Sequence, residues 1–182
     1  MDETRLVHVS KYLSKYLRHQ PEWIGLELEP GGWVDVAAVL TAAAAHGLPI
    51  TRAELDEVVA RNNKQRFGFD ETGTHIRAHQ GHSVDVAMDY TPTVPPETLY
   101  HGTGERSRAP IEREGLRAMR RQYVHLSADF VTAKSVGARH GRPVVFVVDA
   151  GAMHRAGHVF YRSANGVWLV ARVPAEYLRL ER

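Results

Sequence analysis

The chain has 182 residues, of which 24% are charged and 43% hydrophobic, with a formal net charge of +2. A chain of this length buries about 70% of its unfolded surface, enough for one ordinary domain or two small ones, and the composition excludes disorder. It contains no cysteine, which excludes disulfides, thiolate metal sites and a thiol nucleophile.

No apolar run approaches the roughly 18 residues of a membrane span, and "MDETRLVH" lacks the regions of a signal peptide, so a cytoplasmic protein with no membrane partner is expected. The small net charge does not by itself announce a nucleic-acid binder. Local groups such as "RAMRR" (Arg117 to Arg121) concentrate positive charge, and local charge decides what a surface attracts.

Leu6, Val9, Leu13 and Leu17 recur at helical spacing and predict a helix over roughly 6–19. Pro21 lacks an N–H and biases Gln20 away from helical dihedrals, so Arg18 and His19 fall at the helix end. "WVDVAAVLTAAAAHG" predicts a second helix with Val36, Val39, Leu40 and Ala43 on one face and Gly47 at its end. Thr51 followed by Glu54 is a capping-box signature, and Leu55, Val58 and Val59 continue a third helix to Asn62 and Asn63. "RFGFDETGTHIRA" alternates Phe67 and Phe69, turns over Asp70 to Gly73, and alternates again through Ile76 and Ala78, as a hairpin does. Three short helices followed by a hairpin predict a winged helix over 1–90.

"TPTVPPETLY" holds Pro92, Pro95 and Pro96, which places an extended linker at 91–97. From 98 to 182 the strands "LYHG", "YVHLS", "PVVFVVDA", "HVFYRS" and "GVWLVARV" surround one clear helix, Ala128 to about Arg139, capped by Ser127 or Asp129. The whole reads as α+β, with a β-rich second lobe rather than a doubly wound sheet. Each half alone has a marginal core, so the lobes are expected to pack with a cleft between them, in a monomer. Neither GxGxxG nor GxxxxGK[ST] occurs, and no GxSxG elbow.

Arginine clusters at Arg18 beside His19, at Arg66 in "NKQRF", and at Arg120 with Arg121. A guanidinium is a planar fork of donors matched to phosphate oxygens, and an anionic substrate follows if these groups converge; three unrelated solvated arginines is the alternative. In "LYHGT", Gly102 would let a ligand approach the backbone and His101 could bond a ribose or move a proton; a plain turn is the alternative. His125 and Leu126 point to opposite faces of a strand. His79 with His82 invites a metal, but HExxH and carboxylates at ligand spacing are absent, so none is expected.

The blocks "SKYLSKYLRHQPEWIGLELEPGGWV", "NNKQRFGFDETGTHIRAHQGHS", "LYHGT", "GLRAMRRQYVHLS", "SVGARHG" and "VFYRSANGVWLVARVPAEYL", in that order, resemble the NAD-dependent RNA 2′-phosphotransferases, also called tRNA 2′-phosphotransferases, over nearly the whole chain. The resemblance implies an N-terminal winged-helix RNA lobe and a C-terminal ADP-ribosyltransferase-like lobe that binds NAD as co-substrate. It implies transfer of an internal RNA 2′-phosphate to NAD through ADP-ribosylated RNA, giving 2′-OH RNA, nicotinamide and ADP-ribose 1″,2″-cyclic phosphate, with no metal. Such activity belongs to tRNA splicing and RNA repair.

Carried over by motif, the resemblance makes Arg18, His19, Arg66 and Arg121 catalytic, with Arg120 as the neighbouring alternative to Arg121. The arginines would hold phosphate charge, and His19 would contact the phosphate or protonate the leaving oxygen. His101, Gly102, Thr103, His125 and Ser127 would hold NAD. No glutamate lies in "SANGVWLVAR", as suits an acceptor that is already anionic. Tyr123 stands where the family pattern has histidine, and His79 where it has asparagine. Two other readings share this fold: a nucleic-acid binding protein without turnover, and an ADP-ribosyltransferase that stops at a phosphorylated nucleic-acid end.

Overall fold

The computed structural model describes residues 1–181. They form two compact units, residues 1–89 and Tyr90 onward, in a mixed architecture of short helices and small antiparallel sheets. Among the described residues no helix is long and apolar enough to cross a membrane.

The first unit opens with helix α1, Glu3–Arg18, capped by the Asp2 carboxylate. Leu6, Val9, Leu13 and Leu17 are all buried, so the apolar stripe read from the sequence is the face α1 turns to the core. The helix stops where Pro21 requires it: the N–H groups of His19 and Gln20 both reach the Lys15 carbonyl, and Pro21 opens a short 3-10 turn.

Strand β1, Val34–Asp35, leads into helix α2, Val36–Ala45, whose first turn is capped by Asp35. Gly47 ends α2 in the left-handed region at φ +84, and the Leu48 N–H reaches back to the Ala43 carbonyl. This closure satisfies a terminal carbonyl that the helix itself cannot.

Helix α3, Arg52–Arg61, carries the reciprocal capping box between Thr51 and Glu54, and Arg5 ties α1 to it through the Glu54 carboxylate at 3.0 Å. The Arg5 hydrogen bond, above all, depresses the Glu54 pKa to about 2. A depressed carboxylate stabilises the fold above its unfolded pKa and loses that contribution as pH falls through the folded value. The stability difference between wild type and Arg5→Ala should therefore narrow in unfolding titrations as pH drops from 4.5 through about 2. Thr51→Ala, which removes one half of the box, should lower stability by about 1 kcal/mol.

Strands β2, Phe67–Phe69, and β3, His75–Ala78, form the expected hairpin, with Phe67 opposite Ala78 and Phe69 opposite Ile76. Strand β1 adds on β3, giving the order β1-β3-β2.

In the second unit strand β4, Thr98–Gly104, precedes helix α4, Arg108–Glu114, and strand β5, Leu116–Arg117. Strand β6, Val124–Leu126, helix α5, Phe130–Gly137, and strand β7, Pro143–Asp149, follow. Helix α6, Ala150–Arg155, and strands β8, Phe160–Arg162, β9, Trp168–Val170, β10, Arg172–Val173, and β11, Leu178–Leu180, complete it. The sheets run β11-β7-β4, β6-β9-β8 and β10-β5. A bridge between Tyr100 and Ser127 links β4 to the end of β6, and segment 91–97 is extended chain that meets β8 at the Pro92–Tyr161 bridge.

Two expectations are corrected. The unit holds α4 and α6 besides α5: Pro110 falls in the first turn of α4, where its missing N–H costs nothing, and Asp149 caps α6 on the Ala152 N–H. "GVWLVARV" is two strands, because β9 pairs with β6 and β8 while β10 leaves to pair with β5. Helix α5 itself begins at Phe130, fixed by the Asp129 cap on Thr132.

Candidate functional site

In the first unit the C-terminal turn of α1 is clamped by segment 81–84. The Arg18 carbonyl accepts N–H groups from Ser83 at 2.9 Å and Val84 at 3.4 Å, which satisfies an end that a helix leaves open. The Arg18 side chain is buried, with its guanidinium 5.8 Å from the Phe67 ring centroid. Gly81 packs alongside it; a Cβ there would lie 3.8 Å from Arg18 atoms. His19 is exposed, and its Nδ1 hydrogen-bonds the Ser83 hydroxyl at 2.9 Å.

His82 belongs to the clamping segment. It is 2% exposed, and desolvation, followed by the charges of Arg18, His19 and Arg77, pushes its pKa down to about 4. At neutral pH it is therefore an uncharged ring, and it brings no further positive charge to Arg18.

Arg18 and Arg66 line one groove of about 480 Å³. Its walls are α1 (Glu3, Leu6, Val7, Ser10, Lys11, Ser14, Arg18) and the segment from Arg61 through Asn62, Asn63 and Lys64 to Arg66. Asn62 stitches the two sides: its Nδ2 donates to Ser10 Oγ at 2.9 Å, while its Oδ1 accepts from the Lys64 N–H and from Arg66 Nη1 at 3.3 Å. Gln65 takes φ +43 to make that turn. Burial lowers the Arg66 pKa from its ordinary value, but an arginine remains a cation throughout the accessible pH range. The structure thus brings Arg18 and Arg66 to one groove, with His19 on the adjoining turn.

In the second unit His101 Nδ1 lies 3.1 Å from the His125 carbonyl oxygen. A carbonyl only accepts, so Nδ1 carries the proton and Nε2 of the neutral ring is left as an acceptor. Desolvation lowers the His101 pKa and the charges of Arg121 and His140 add to the effect, so the neutral form is favoured. His125 Nδ1 donates in turn to the Tyr123 carbonyl at 3.0 Å. Ser127 and Tyr100 exchange backbone hydrogen bonds of 2.8 and 2.9 Å, which holds the His101 and His125 strands together.

Arg121 and Arg120 are both exposed beyond a turn in which the Arg121 N–H reaches the Ala118 carbonyl. Of the pair, Arg121 is the one whose charge bears on His101. Thr103 is buried on β4. The space in front of Gly102 belongs to α5: a Cβ there would fall 1.6 Å from the Ala133 carbonyl oxygen. The lack of a side chain at Gly102 thus serves helix-on-strand packing, a different reason from the ligand approach read in the sequence.

Tyr123 packs edge-on to Tyr161 and Tyr90, with centroids at 5.5 and 5.9 Å, and the His79 ring covers Gly68. Among the described residues no group of three or more His, Asp or Glu is placed to hold a metal ion. Sequence reasoning weighed His82 only as a metal ligand beside His79, met Asn62 only as a helix end, and did not single out Ser83. The roles of Asn62 and Ser83 lie in contacts across 52 and 64 positions of chain, which local spacing does not encode.

The family model described as RNA 2′-phosphotransferase, Tpt1 / KptA family, matches residues 4–172. The chain belongs to this family. It is 60% identical to a probable RNA 2′-phosphotransferase of Nostoc punctiforme over 98% of this chain and 99% of that protein. It is 58% identical to one from Herpetosiphon aurantiacus, end to end in both chains, and 59% identical to one from Streptomyces coelicolor over 98% of this chain and 97% of that one. Family membership makes the protein an enzyme of the transferase class. The basic groove and the paired histidines are thus features of an RNA 2′-phosphotransferase family member.

Proposed function

We propose that this protein removes an internal 2′-phosphate from RNA by transferring it to NAD, using Arg18, His19, Arg66 and Arg121 on the phosphate and the β4–β6 region for NAD. The observation that carries the reading is the pairing of Arg18 with Arg66 in one groove beside His19, a constellation of donors suited to a dianionic phosphate. On this reading the first unit is a winged helix, supported by its three helices and β1-β3-β2 sheet. The second is an ADP-ribosyltransferase-like unit, supported by its small antiparallel sheets.

In the first step an oxygen of the RNA 2′-phosphate attacks the ribose carbon that carries nicotinamide. Nicotinamide leaves with the electron pair of the C–N bond, and RNA is joined through phosphate to ADP-ribose. In the second step the adjacent ribose 2″-oxygen attacks phosphorus and loses its proton, and the RNA 2′-oxygen departs and gains one. The products are 2′-OH RNA and ADP-ribose 1″,2″-cyclic phosphate.

The second step needs negative charge held on phosphate oxygens while an alkoxide leaves, and preoriented guanidinium groups do this without reorganisation. Arg18, Arg66 and Arg121 are assigned that role. His19, with its ring oriented by Ser83, contacts the phosphate or supplies the proton to the leaving oxygen. His101 fits the nicotinamide riboside: its protonated Nδ1 is committed to the His125 carbonyl, so Nε2 accepts from a ribose hydroxyl. Ser127 lies one bridge away from the same strand.

The test is incubation with 2′-phosphorylated RNA and NAD, resolving both RNA and ADP-ribose products. Joint appearance of 2′-OH RNA and the cyclic phosphate is expected. RNA binding without NAD consumption would replace the reading with that of a binding protein, and an ADP-ribosylated nucleic acid as sole end product would limit the enzyme to the first step.

A further inference from the structure

From the shape and lining of the groove on the first unit we infer that it is a track for the sugar-phosphate backbone of the RNA flanking the reacting 2′-phosphate. This inference rests on the proposed function. Arg18 and Arg66 need only the C-terminal end of α1 to grip one phosphate, yet the groove continues along the helix to Leu6 and Glu3. From Arg18 back to Leu6 is about 18 Å at 1.5 Å per residue, far longer than a single phosphate and long enough for several consecutive ones.

Lys11, Ser14 and Arg18 recur at helical spacing, so one face of α1 presents cation, hydroxyl and cation in a row. The facing wall adds Lys64 and Arg66. Among the described residues Glu3 is the only acid in the lining; it lies at the far end, where Arg61 meets it at 3.4 Å, and it marks where the anion track stops.

The chemistry of the lining selects the backbone over the bases. Bound bases rest on aromatic platforms, and none of the groove's lining residues is aromatic. Phosphates and sugars are met by Lys, Arg, Ser and Asn side chains, which carry no sequence information. Buried Ser10 and Asn62, bonded to each other, hold the two walls at a fixed separation, so the track is preformed. It contributes salt-sensitive affinity for any single-stranded flank and leaves recognition of the 2′-phosphate to its Arg18–Arg66 end.

The experiment uses the full chain and an unmodified single-stranded RNA of about 20 nucleotides, without NAD, and reads binding by fluorescence anisotropy as a function of salt. Lys11 is exposed, so its replacement leaves the core intact. Lys11→Glu should weaken binding about 10-fold and reduce the slope of log affinity against log salt by roughly 0.7, the value for one lost phosphate contact on a single strand. Arg113→Glu, the same change of charge on α4 at a residue outside the groove lining, should alter affinity by less than about twofold, since an exposed charge that makes no contact with the bound strand is screened.

In turnover, the preference of kcat/KM for a 2′-phosphorylated 20-mer over a 2′-phosphorylated dinucleotide should fall about 10-fold in Lys11→Glu. If Lys11→Glu binds and discriminates like wild type, or if Arg113→Glu weakens RNA binding equally, the track is overturned. The two layers separate cleanly. Wild-type protein that binds RNA with these dependences yet never transfers phosphate to NAD would overturn the proposed function and leave the track standing.

Discussion

Arg66→Ala is expected to slow the second step by about 10²–10³-fold, the loss that follows removal of one preoriented donor from a developing anion. ADP-ribosylated RNA should then accumulate. The reason lies in how Arg66 is held. Asn62, itself anchored on Ser10, accepts from Arg66 Nη1, so the guanidinium is oriented in advance, and on the proposed mechanism its donors meet a phosphate whose charge is being redistributed. On the proposed mechanism, attack on the ribose carbon in the first step asks less of it, because the phosphate there is the nucleophile and loses charge. Single-turnover reactions sampled by rapid quench separate the two steps. Arg66→Lys should remain far below wild type, because an ammonium keeps the charge but not the planar fork. A variant that merely bound RNA more weakly, with both steps slowed alike at low RNA and restored at saturation, would remove Arg66 from the second step.

Local structure was legible wherever one stretch of chain determines it. The end of α1 around Arg18 and His19, the capping box at Thr51 and Glu54, the Gly47 terminus and the hairpin all follow from nearest neighbours, and all are present. The candidate site was legible as residue types in motif order. What was hidden is what holds those residues. The hydroxyl on His19 comes from Ser83, 64 positions away, and the amide behind Arg66 is fixed by Ser10, 52 positions before Asn62. In the second unit α4 and α6 escaped because they are short, at 7 and 6 residues, too few for a 3.6-residue period to declare itself. Gly102 is the sharpest case: glycine in "LYHGT" looks the same whether a ligand or another backbone approaches it.

That ambiguity sets up the other large effect. Gly102→Ala should destabilise the protein by about 3 kcal/mol or more, at the upper end of overpacking substitutions, and should do so with or without NAD present. The added methyl would sit 1.6 Å from the Ala133 carbonyl oxygen and 3.0 Å from the Gly137 N–H. Both are backbone atoms of α5, so no side-chain rotamer relieves the clash and the helix must lift from β4. The contact is reciprocal, for a Cβ on Gly137 would fall 2.7 Å from the Thr103 carbonyl oxygen. Glycine on both elements is what lets α5 lie against the strand that carries His101. Urea unfolding of Gly102→Ala measures the cost, and the double variant with Ala133→Gly decides its origin. Removing the Ala133 methyl leaves its carbonyl in place, so no rescue is expected. A Gly102→Ala protein of wild-type stability that had lost only its affinity for NAD would instead return Gly102 to the ligand.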